Sequence, residues 1–470
     1  MAFIKSISGF RGTIGGEKGN NLTPHDIVES AGAYGAWILK HTKNKKTKIV
    51  IGRDARPSGN MLNQLVINTL LALGIDVVDI GLSTTPTVEM AVIAEFADGG
   101  IILTASHNPK EWNALKLLNN KGEFISAQDG AEVLEIAAEG KIKYATVDNL
   151  GTYSTNEGYI EYHIQKVLAL PLVDVPLVQS KKFRVVVDPV NSTGVISIVP
   201  LLEKLGCEVI VINGEMNGQF AHNPEPLPEH LMQLAHKVTE TKAHLGISVD
   251  PDVDRLALVC EDGEIFGEEY TLVVVADYIL QNTPGNTVSN LSSTRALRDV
   301  TEKYHGVYTA SAVGEVNVVE KMKETNAIIG GEGNGGIIYP ELHYGRDALV
   351  GVALMLTYLA KFGKSLSFLR SRYPNYTISK NKLTLPENID ADVVIQSLYD
   401  KYSRTKHCLC NTVDGLKLEF SDNNWIHIRK SNTEPIIRVY AESTSPVTSN
   451  NLINKIFQDV HEFIHAPKEE

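Results

Sequence analysis

Four short segments of this 470-residue chain carry side chains whose type and spacing could do chemistry. Asp250, Asp252 and Asp254 alternate in Asp-Pro-Asp-Val-Asp-Arg at 250–255, a spacing that can turn three carboxylates to one face. Gathering three like charges out of water is costly without a cation. Their hard oxygens suit Mg²⁺, which keeps positions open for phosphate oxygens. An EF-hand calcium loop is a poor rival. Glu261 falls at its twelfth position, but Arg255 stands where the sixth needs glycine, and apolar strands flank the segment instead of helices. Ser106 lies in Thr-Ala-Ser-His-Asn-Pro at 104–109, a tight loop at the end of an apolar run. A serine there is an ordinary turn residue unless a base or metal activates it, when it becomes a nucleophile or phosphoryl carrier. His107 adjoins it in sequence, and Asn113 and Lys116 follow closely enough to serve the same site.

The third segment, Gly-Glu-Gly-Asn-Gly-Gly at 331–336, fits G-x-G-x-x-G by letter. Ile-Ile-Tyr-Pro follows it and opens no helix, so the dinucleotide-binding reading fails its context. What remains is a flexible loop presenting Glu332 and Asn334, a carboxylate and an amide suited to vicinal hydroxyls. The fourth runs from Arg429 through Lys430, Ser431, Asn432 and Thr433, with Arg438 on the strand beyond. Two guanidinium groups, hydroxyls and turn amides make a phosphate cradle, the bland alternative being a basic surface turn. No Walker A sequence is present. A serine, a divalent-cation site, a polyol reader and a phosphate cradle are the parts that phosphoryl transfer on a sugar phosphate requires.

The elements that must position these loops read as α/β units in series. Residues 48–54 and 75–80 read as strands around a helix over 58–73 that Gly74 stops, and a strand over 99–104 runs into Ser106. A second unit has strands at 183–188, 207–212 and 244–249, the last ending in the carboxylates, with a helix over 195–205. A third has strands at 287–291, 307–310 and 327–330, helices over 295–304 and 316–325, and a long helix over 346–362. The final stretch differs, with helices over 390–402 and 450–464 and strands at 416–420, 425–429 and 436–442. Domains are therefore expected at 1–155, 156–258, 259–375 and 376–470, one chemical loop in each.

Composition narrows the function classes. With 43% hydrophobic and 21% charged residues, the chain is no disordered polymer. Lys and Arg number 44 against 56 Asp and Glu, and a net charge of −12 argues against non-specific nucleic-acid binding. No apolar run approaches the roughly 20 residues that span a bilayer, and the first residues lack a signal-peptide core. A cytoplasmic protein without membrane or nucleic-acid partners is expected. Cys207, Cys260, Cys408 and Cys410 read as reduced thiols, because Cys408-Leu-Cys410 has neither the spacing nor the second pair of a zinc ribbon.

Taken in order, the segments resemble the α-D-phosphohexomutase family. Ser-Gly-Phe-Arg-Gly at 8–12 looks like its N-terminal arginine motif, and Gly-Arg-Asp-Ala-Arg-Pro-Ser-Gly at 52–59 like its first-domain segment. The other four loops look like its phosphoserine, metal, sugar and phosphate loops. The resemblance implies three similar α/β domains with mixed sheets plus a C-terminal α+β (TBP-like) domain around a central cleft. It implies a phosphoserine at Ser106 and one Mg²⁺ held by Asp250, Asp252, Asp254 and an oxygen on Ser106. A hexose 1,6-bisphosphate is the implied intermediate and activator. Lys116 and Arg11 would assist proton transfer, with His107 and Arg255 in the same catalytic group. Glu332 and Asn334 would read the sugar, and Arg429, Ser431, Asn432, Thr433 and Arg438 would hold the distal phosphate. A monomer or homodimer acting on a small sugar phosphate is expected.

Departures within the family bear on the substrate. Many members carry Ser and then Gly-His in the sugar loop, where Asn334, Gly335 and Gly336 stand here. Gly-Gly-Glu-x-Asn-Gly-Gly, with Arg346-Asp347 downstream, resembles the archaeal-type phosphoglucosamine mutase branch. Thr104 and Ser431-Asn432-Thr433 are closer to phosphoglucomutase/phosphomannomutase usage. The expectation is interconversion of glucosamine 6-phosphate and 1-phosphate, with glucose or mannose phosphates as the alternative. The separate cradle argues against a metal-assisted phosphatase. Retention of Ser106 and all three Asp residues argues against a non-catalytic sugar-phosphate-binding protein.

Overall fold

A computed structural model describes residues 3–6, 9–44, 46–386, 389–431 and 436–465. Its first sheet has seven strands, in the order Phe3–Ser6, Gly9–Thr13, Trp112–Leu118, Gly99–Leu103, Lys48–Arg53, Asp76–Leu82 and Tyr153–Thr155. The strand Lys48–Arg53 is parallel to both neighbours, and its Ile-Val-Ile centre is buried, as a parallel strand covered on both faces requires. Helices Pro24–His41, Gly59–Ala72 and Thr85–Ala94 supply the cover.

The second sheet orders as Leu256–Cys260, Leu245–Val249, Arg184–Asp188 and Glu208–Val211. The third orders as Tyr308–Ser311, Asn286–Asn290, Ala327–Glu332 and Gly336–Ile338. One device recurs in all three. A strand paired in parallel on one side leaves the sheet, makes a short loop, and returns as an antiparallel neighbour. It joins Gly99–Leu103 to Trp112–Leu118, Leu245–Val249 to Leu256–Cys260, and Ala327–Glu332 to Gly336–Ile338. The three returning loops carry Ser106, the three aspartates and Glu332 at the carboxyl ends of parallel strands, where open α/β sheets place their ligands. The fourth sheet is wholly antiparallel, Thr377–Thr384, Ile436–Ser443, Trp425–Lys430, Leu416–Phe420 and Cys408–Asn411, packed on helices Ala391–Tyr402 and Pro446–His465.

The second and third units share one hydrophobic core, running from Ile164 to Tyr373. Helix Ala348–Phe362 is buried on nearly every side and lies within it, beside Glu268–Asn282. The fourth unit has a core of its own. Helix Glu268–Asn282 was not legible as a helix, because its Leu-Val-Val-Val-Ala run is apolar all round and lacks a 3.6-residue period. The terminal helix starts at Pro446, earlier than 450, since Pro is well placed in a first turn. The boundary placed at 258 falls inside Leu256–Cys260, which pairs residue by residue with Leu245–Val249 and so stays in the second sheet.

The glycine-rich segment is no flexible loop. Glu332 ends one strand, Gly336 begins the next, and residues 333–335 form the hairpin turn. Gly335 has φ +87°, its carbonyl accepts the Leu256 N–H at 3.0 Å, and a Cβ on it would strike the Leu256 backbone. The 333–335 hairpin is thereby stitched to the end of the 250–255 loop. Among the described residues no helix is long and apolar enough to cross a membrane, and all four cysteines are free thiols.

Candidate active site

The serine loop is held from beneath by a buried arginine. Arg56 is almost wholly buried. Its Nε donates to Asp54 Oδ2 at 3.0 Å, and its two other nitrogens donate to the carbonyls of Ser106, Asn108 (2.7 Å), Pro109 (2.6 Å) and Trp112 (2.9 Å). Thr104 Oγ1 donates to Asp54 at 2.7 Å and accepts the Ser106 N–H at 2.9 Å. Ser106 itself has φ +48°, a left-handed conformation uncommon outside glycine. A planar fork with several donors suits this cluster of carbonyls, and a lysine ammonium does not. Arg56→Ala leaves Asp54 buried without its charge partner, so a loss of about 3–5 kcal/mol is expected. The denaturant midpoint of the first unit measures it, and an unchanged midpoint contradicts this role.

Across from the serine, the returning loop of the second sheet presents its carboxylates. Ser106 Oγ donates to Asp250 Oδ2 at 2.6 Å, a contact spanning 144 positions. The other oxygen of Asp250 accepts the N–H groups of Asp254 and Arg255, both at 3.1 Å. Val253, β-branched, is forced to φ +62° by this tight wrap. Asp252 Oδ2 accepts from Lys116 Nζ at 2.7 Å and from Thr85 Oγ1 at 2.6 Å. Asp254 Oδ2 meets Arg346 Nη2 at 2.7 Å and Lys116 Nζ at 3.5 Å.

Oxygens of the three aspartates lie within 4.8 Å of one another, and Oδ1 of Asp252 and of Asp254 are buried without a hydrogen-bond partner. Orphaned carboxylate oxygens facing two further carboxylates fit a hard divalent cation. Burial, together with Asp254 and Asp252, pushes the Asp250 carboxyl well above the usual carboxylate range. Burial acts the same way on Asp252, but the Lys116 charge outweighs it and holds that carboxyl low. Burial in turn opposes the Lys116 ammonium, which the two aspartates nonetheless keep firmly protonated.

Arg346 links the aspartate loop to the 333–335 hairpin. Besides Asp254, it meets Glu332 Oε2 through Nη1 at 2.9 Å and Glu315 Oε2 through Nε at 3.0 Å. Glu332 Oε1 also accepts from Asn290 Nδ2 at 2.8 Å and from the Gly314 N–H at 3.1 Å. Asn334 turns inward: its Oδ1 accepts the Gly336 N–H at 3.2 Å, and its Nδ2 lies 3.5 Å from Glu332. A Cβ at Gly336 would strike the Arg346 side chain, which explains the glycine there.

The remaining expected residues gather around these loops. Arg255 meets Glu225 Oε1 at 3.1 Å, and His107 Nε2 lies 3.9 Å from the same oxygen. His107 Nδ1 is 3.4 Å from Ser106 Oγ, and burial with the Arg255 and Arg11 charges keeps the imidazole neutral. Arg11 Nη1 donates to Asn108 Oδ1 at 3.1 Å. Burial and then the charge of Arg438 weaken the hold of Arg11 on its proton, so the fourth unit faces the serine unit here. Arg429 and Arg438 stand opposite each other on neighbouring strands. Arg438 is exposed, whereas Arg429 Nε is engaged by Asp414 at 2.7 Å. Ser431 donates its N–H to Ile436 at 3.0 Å. Asn432 and Thr433, like Ser8, lie outside the described residues.

Arg438→Ala is expected to raise KM for a sugar phosphate about tenfold or more while leaving the thermal midpoint nearly unchanged, as loss of an exposed charge-assisted hydrogen bond would. Steady-state kinetics decide it, and an unchanged KM removes the cradle. Thr85, Glu225, Asn290 and Glu315 were not singled out from sequence. They sit at element ends or, for Glu225, in a loop, and only the tertiary arrangement gives each its partner.

Comparison with known proteins accounts for the whole arrangement. Residues 4–143, 157–263 and 267–376 match the domain families described as phosphoglucomutase/phosphomannomutase alpha/beta/alpha domains I, II and III, and residues 382–458 match the corresponding C-terminal domain. A probable phosphoglucosamine mutase of Methanopyrus kandleri is 32% identical over 464 residues, 98% of each chain. A phosphoglucomutase/phosphomannomutase of Thermococcus kodakarensis is 33% identical, covering 92% of this chain and 94% of its own. The crystal structure of a phosphoglucomutase/phosphomannomutase family protein from Burkholderia thailandensis superposes with a TM-score of 0.83 at 25% identity, over 98% of both chains.

Proposed function

Because the chain belongs to the phosphoglucomutase/phosphomannomutase family, the α-D-phosphohexomutases, we propose that it interconverts the 6- and 1-phosphates of a hexose, with glucosamine phosphate preferred. The observation that carries this reading is Ser106 Oγ at 2.6 Å from Asp250, inside a ring of three buried carboxylates and one lysine. Such a serine is placed to carry a phosphoryl group whose charge the site can offset.

In this proposal Asp250, Asp252 and Asp254 hold one Mg²⁺, which when bound neutralises charge on the phosphate oxygens. Ser106 carries the phosphoryl group in the resting enzyme. A hydroxyl of the bound hexose monophosphate attacks phosphorus, its oxygen forms the new P–O bond, and the bond to Ser106 Oγ breaks. The net proton movement is from that hydroxyl to Ser106 Oγ. His107, neutral and 3.4 Å from Oγ, is the group able to relay it, while cationic Lys116 stabilises the departing oxygen. The product is a hexose 1,6-bisphosphate. It turns over in the cleft and returns its other phosphate to Ser106. Arg438 and Arg429, with Ser431, Asn432 and Thr433, hold whichever phosphate is not reacting. Glu332, fixed by Arg346 and Asn290, meets the sugar hydroxyls in both orientations.

The preference for glucosamine rests on the Gly-Gly-Glu-x-Asn-Gly-Gly hairpin and on the likeness to the Methanopyrus protein. Glucose or mannose phosphate is the second reading, favoured by the likeness to the Thermococcus protein. A hydroxyl and an ammonium at C2 are of similar size, so discrimination needs a specific polar partner. The test is kcat/KM for glucosamine, glucose and mannose phosphates with Mg²⁺ and trace bisphosphate. A preference of about tenfold or more for glucosamine phosphate is expected. A reversed order moves the enzyme to hexose interconversion with the same chemistry. We place this activity in the cytoplasm, on a small-molecule substrate, in a monomer or homodimer.

A further inference from the structure

A second group of buried titratable side chains lies behind the aspartate loop, and the phosphoryl chemistry makes no use of it. Glu89 comes from helix Thr85–Ala94 and His163 from helix Tyr159–Leu168. His343 and Asp347 flank Arg346 just before helix Ala348–Phe362. Three different units of the fold therefore meet at one buried point. His163 Nε2 lies 2.8 Å and His343 Nε2 3.2 Å from the same oxygen, Asp347 Oδ2. Ligand atoms of the three residues all lie within 4.8 Å of one another. The other oxygen of Asp347 caps the helix, accepting the Leu349 and Val350 N–H groups at 2.8 and 3.3 Å, which leaves Oδ2 free to point at the histidines.

The outer nitrogens are also placed. His163 Nδ1 is 2.8 Å from Thr87 Oγ1, and His343 Nδ1 is 3.3 Å from Glu89 Oε2. Glu89 Oε1 is buried with no hydrogen-bond partner among the described residues, while Oε2 faces His343 Nδ1. A Cβ on Gly345 would collide with the Glu89 carboxylate, so a glycine there lets Glu89 press into the group. Without an ion, burial opposes the His343 imidazolium but Asp347 and Glu89 hold it protonated; ligation displaces that proton, and the group with both imidazoles unprotonated carries a formal charge of −2 that one divalent cation balances.

We propose that His163 Nε2, His343 Nε2 and Asp347 Oδ2 bind a Zn²⁺ ion, with Glu89 and Thr87 orienting the two imidazoles. Two imidazoles and one carboxylate are the donor set of a borderline cation and distinguish this site from the all-oxygen aspartate triad. Ligand bonds of about 2.0 Å in a tetrahedron set ligand atoms about 3.3 Å apart. The observed 2.8 and 3.2 Å need only a few tenths of an ångström of opening. An oxygen on the far nitrogen of each ligating histidine is the usual support for such a site. The three protein ligands are buried, a water would complete the tetrahedron, and the ion's work is structural. Thr85, on the helix that carries Glu89, holds Asp252, and Arg346, between His343 and Asp347, holds Asp254. The ion fastens the supports of the aspartate loop from three units at once.

The test is made on the full chain, stripped with chelator and then titrated with Zn²⁺ or Co²⁺ in excess Mg²⁺, which keeps the aspartate triad occupied. Wild-type protein is expected to retain about one equivalent of Zn²⁺ through gel filtration, to show the visible absorption of tetrahedral Co²⁺, and to melt at a higher temperature with the ion. His163→Gln is expected to lose the bound ion. Glu89→Gln, a milder change that keeps the ligands, is expected to weaken Zn²⁺ binding about 10–100-fold. Asp252→Asn is expected to keep the full equivalent. Wild-type protein that retains less than about a tenth of an equivalent overturns the proposal. So does Zn²⁺ retention lost in Asp252→Asn yet kept in Glu89→Gln. The site and its test do not depend on which sugar phosphate is turned over.

Discussion

Ser106→Ala is expected to lower kcat by about 10⁴-fold or more while the protein stays folded, because alanine lacks the oxygen proposed to carry the phosphoryl group. Ser106 Oγ makes a single strong contact, 2.6 Å to Asp250, and Arg56 holds the loop through its carbonyls, which alanine retains. The stability cost should therefore stay near about 1 kcal/mol, the size of one net hydrogen bond. Turnover assays and circular dichroism on the same preparation separate loss of the nucleophile from loss of the fold. Near-wild-type turnover contradicts the phosphoserine mechanism.

Asp252→Asn is the next largest expected effect. Its carboxylate stands between Lys116 and Thr85, and its second oxygen is one of the orphans facing the triad. The amide keeps the shape but removes one unit of charge and one hard ligand. A fall in kcat of about 10²–10³-fold is expected, the order found when one electrostatic stabiliser of a reacting group is removed. The Mg²⁺ concentration for half-maximal activity should rise at least about tenfold. Lys116 then loses its nearest anion and becomes easier to deprotonate, so the alkaline limb of the pH–rate profile should move to lower pH. Full activity in the presence of chelator rules out the metal assignment.

How much of this was legible in the sequence differs from one residue to the next. Asp250, Asp252 and Asp254 announce themselves because three carboxylates between apolar strands have few stable uses besides a cation. The roles proposed for Ser106, Glu332 and the cradle rest on their place at strand ends and their order along the chain. Arg56 and Arg346 have roles that no spacing reveals. The partners of Arg56 are mostly carbonyls about fifty positions away, and those of Arg346 include a carboxylate 92 positions away. The hairpin form of 331–336 was hidden by its glycines, which read as flexibility but serve close approach to Leu256 and Arg346. Helix Glu268–Asn282 was hidden because a fully buried helix has no polar face to set a period. The fourfold partition was easier to see, since each unit repeats the strand, loop and returning strand that positions a chemical group, except the last, whose antiparallel sheet breaks the pattern.

The most direct measurement is intact-protein mass spectrometry with peptide mapping after incubation with a hexose 1,6-bisphosphate and Mg²⁺. One phosphoryl group is expected on Ser106. Adding glucosamine 6-phosphate in excess should discharge it into bisphosphate and then yield glucosamine 1-phosphate, with no stoichiometric inorganic phosphate. An unmodified Ser106, or inorganic phosphate released turn for turn, would contradict the mutase mechanism.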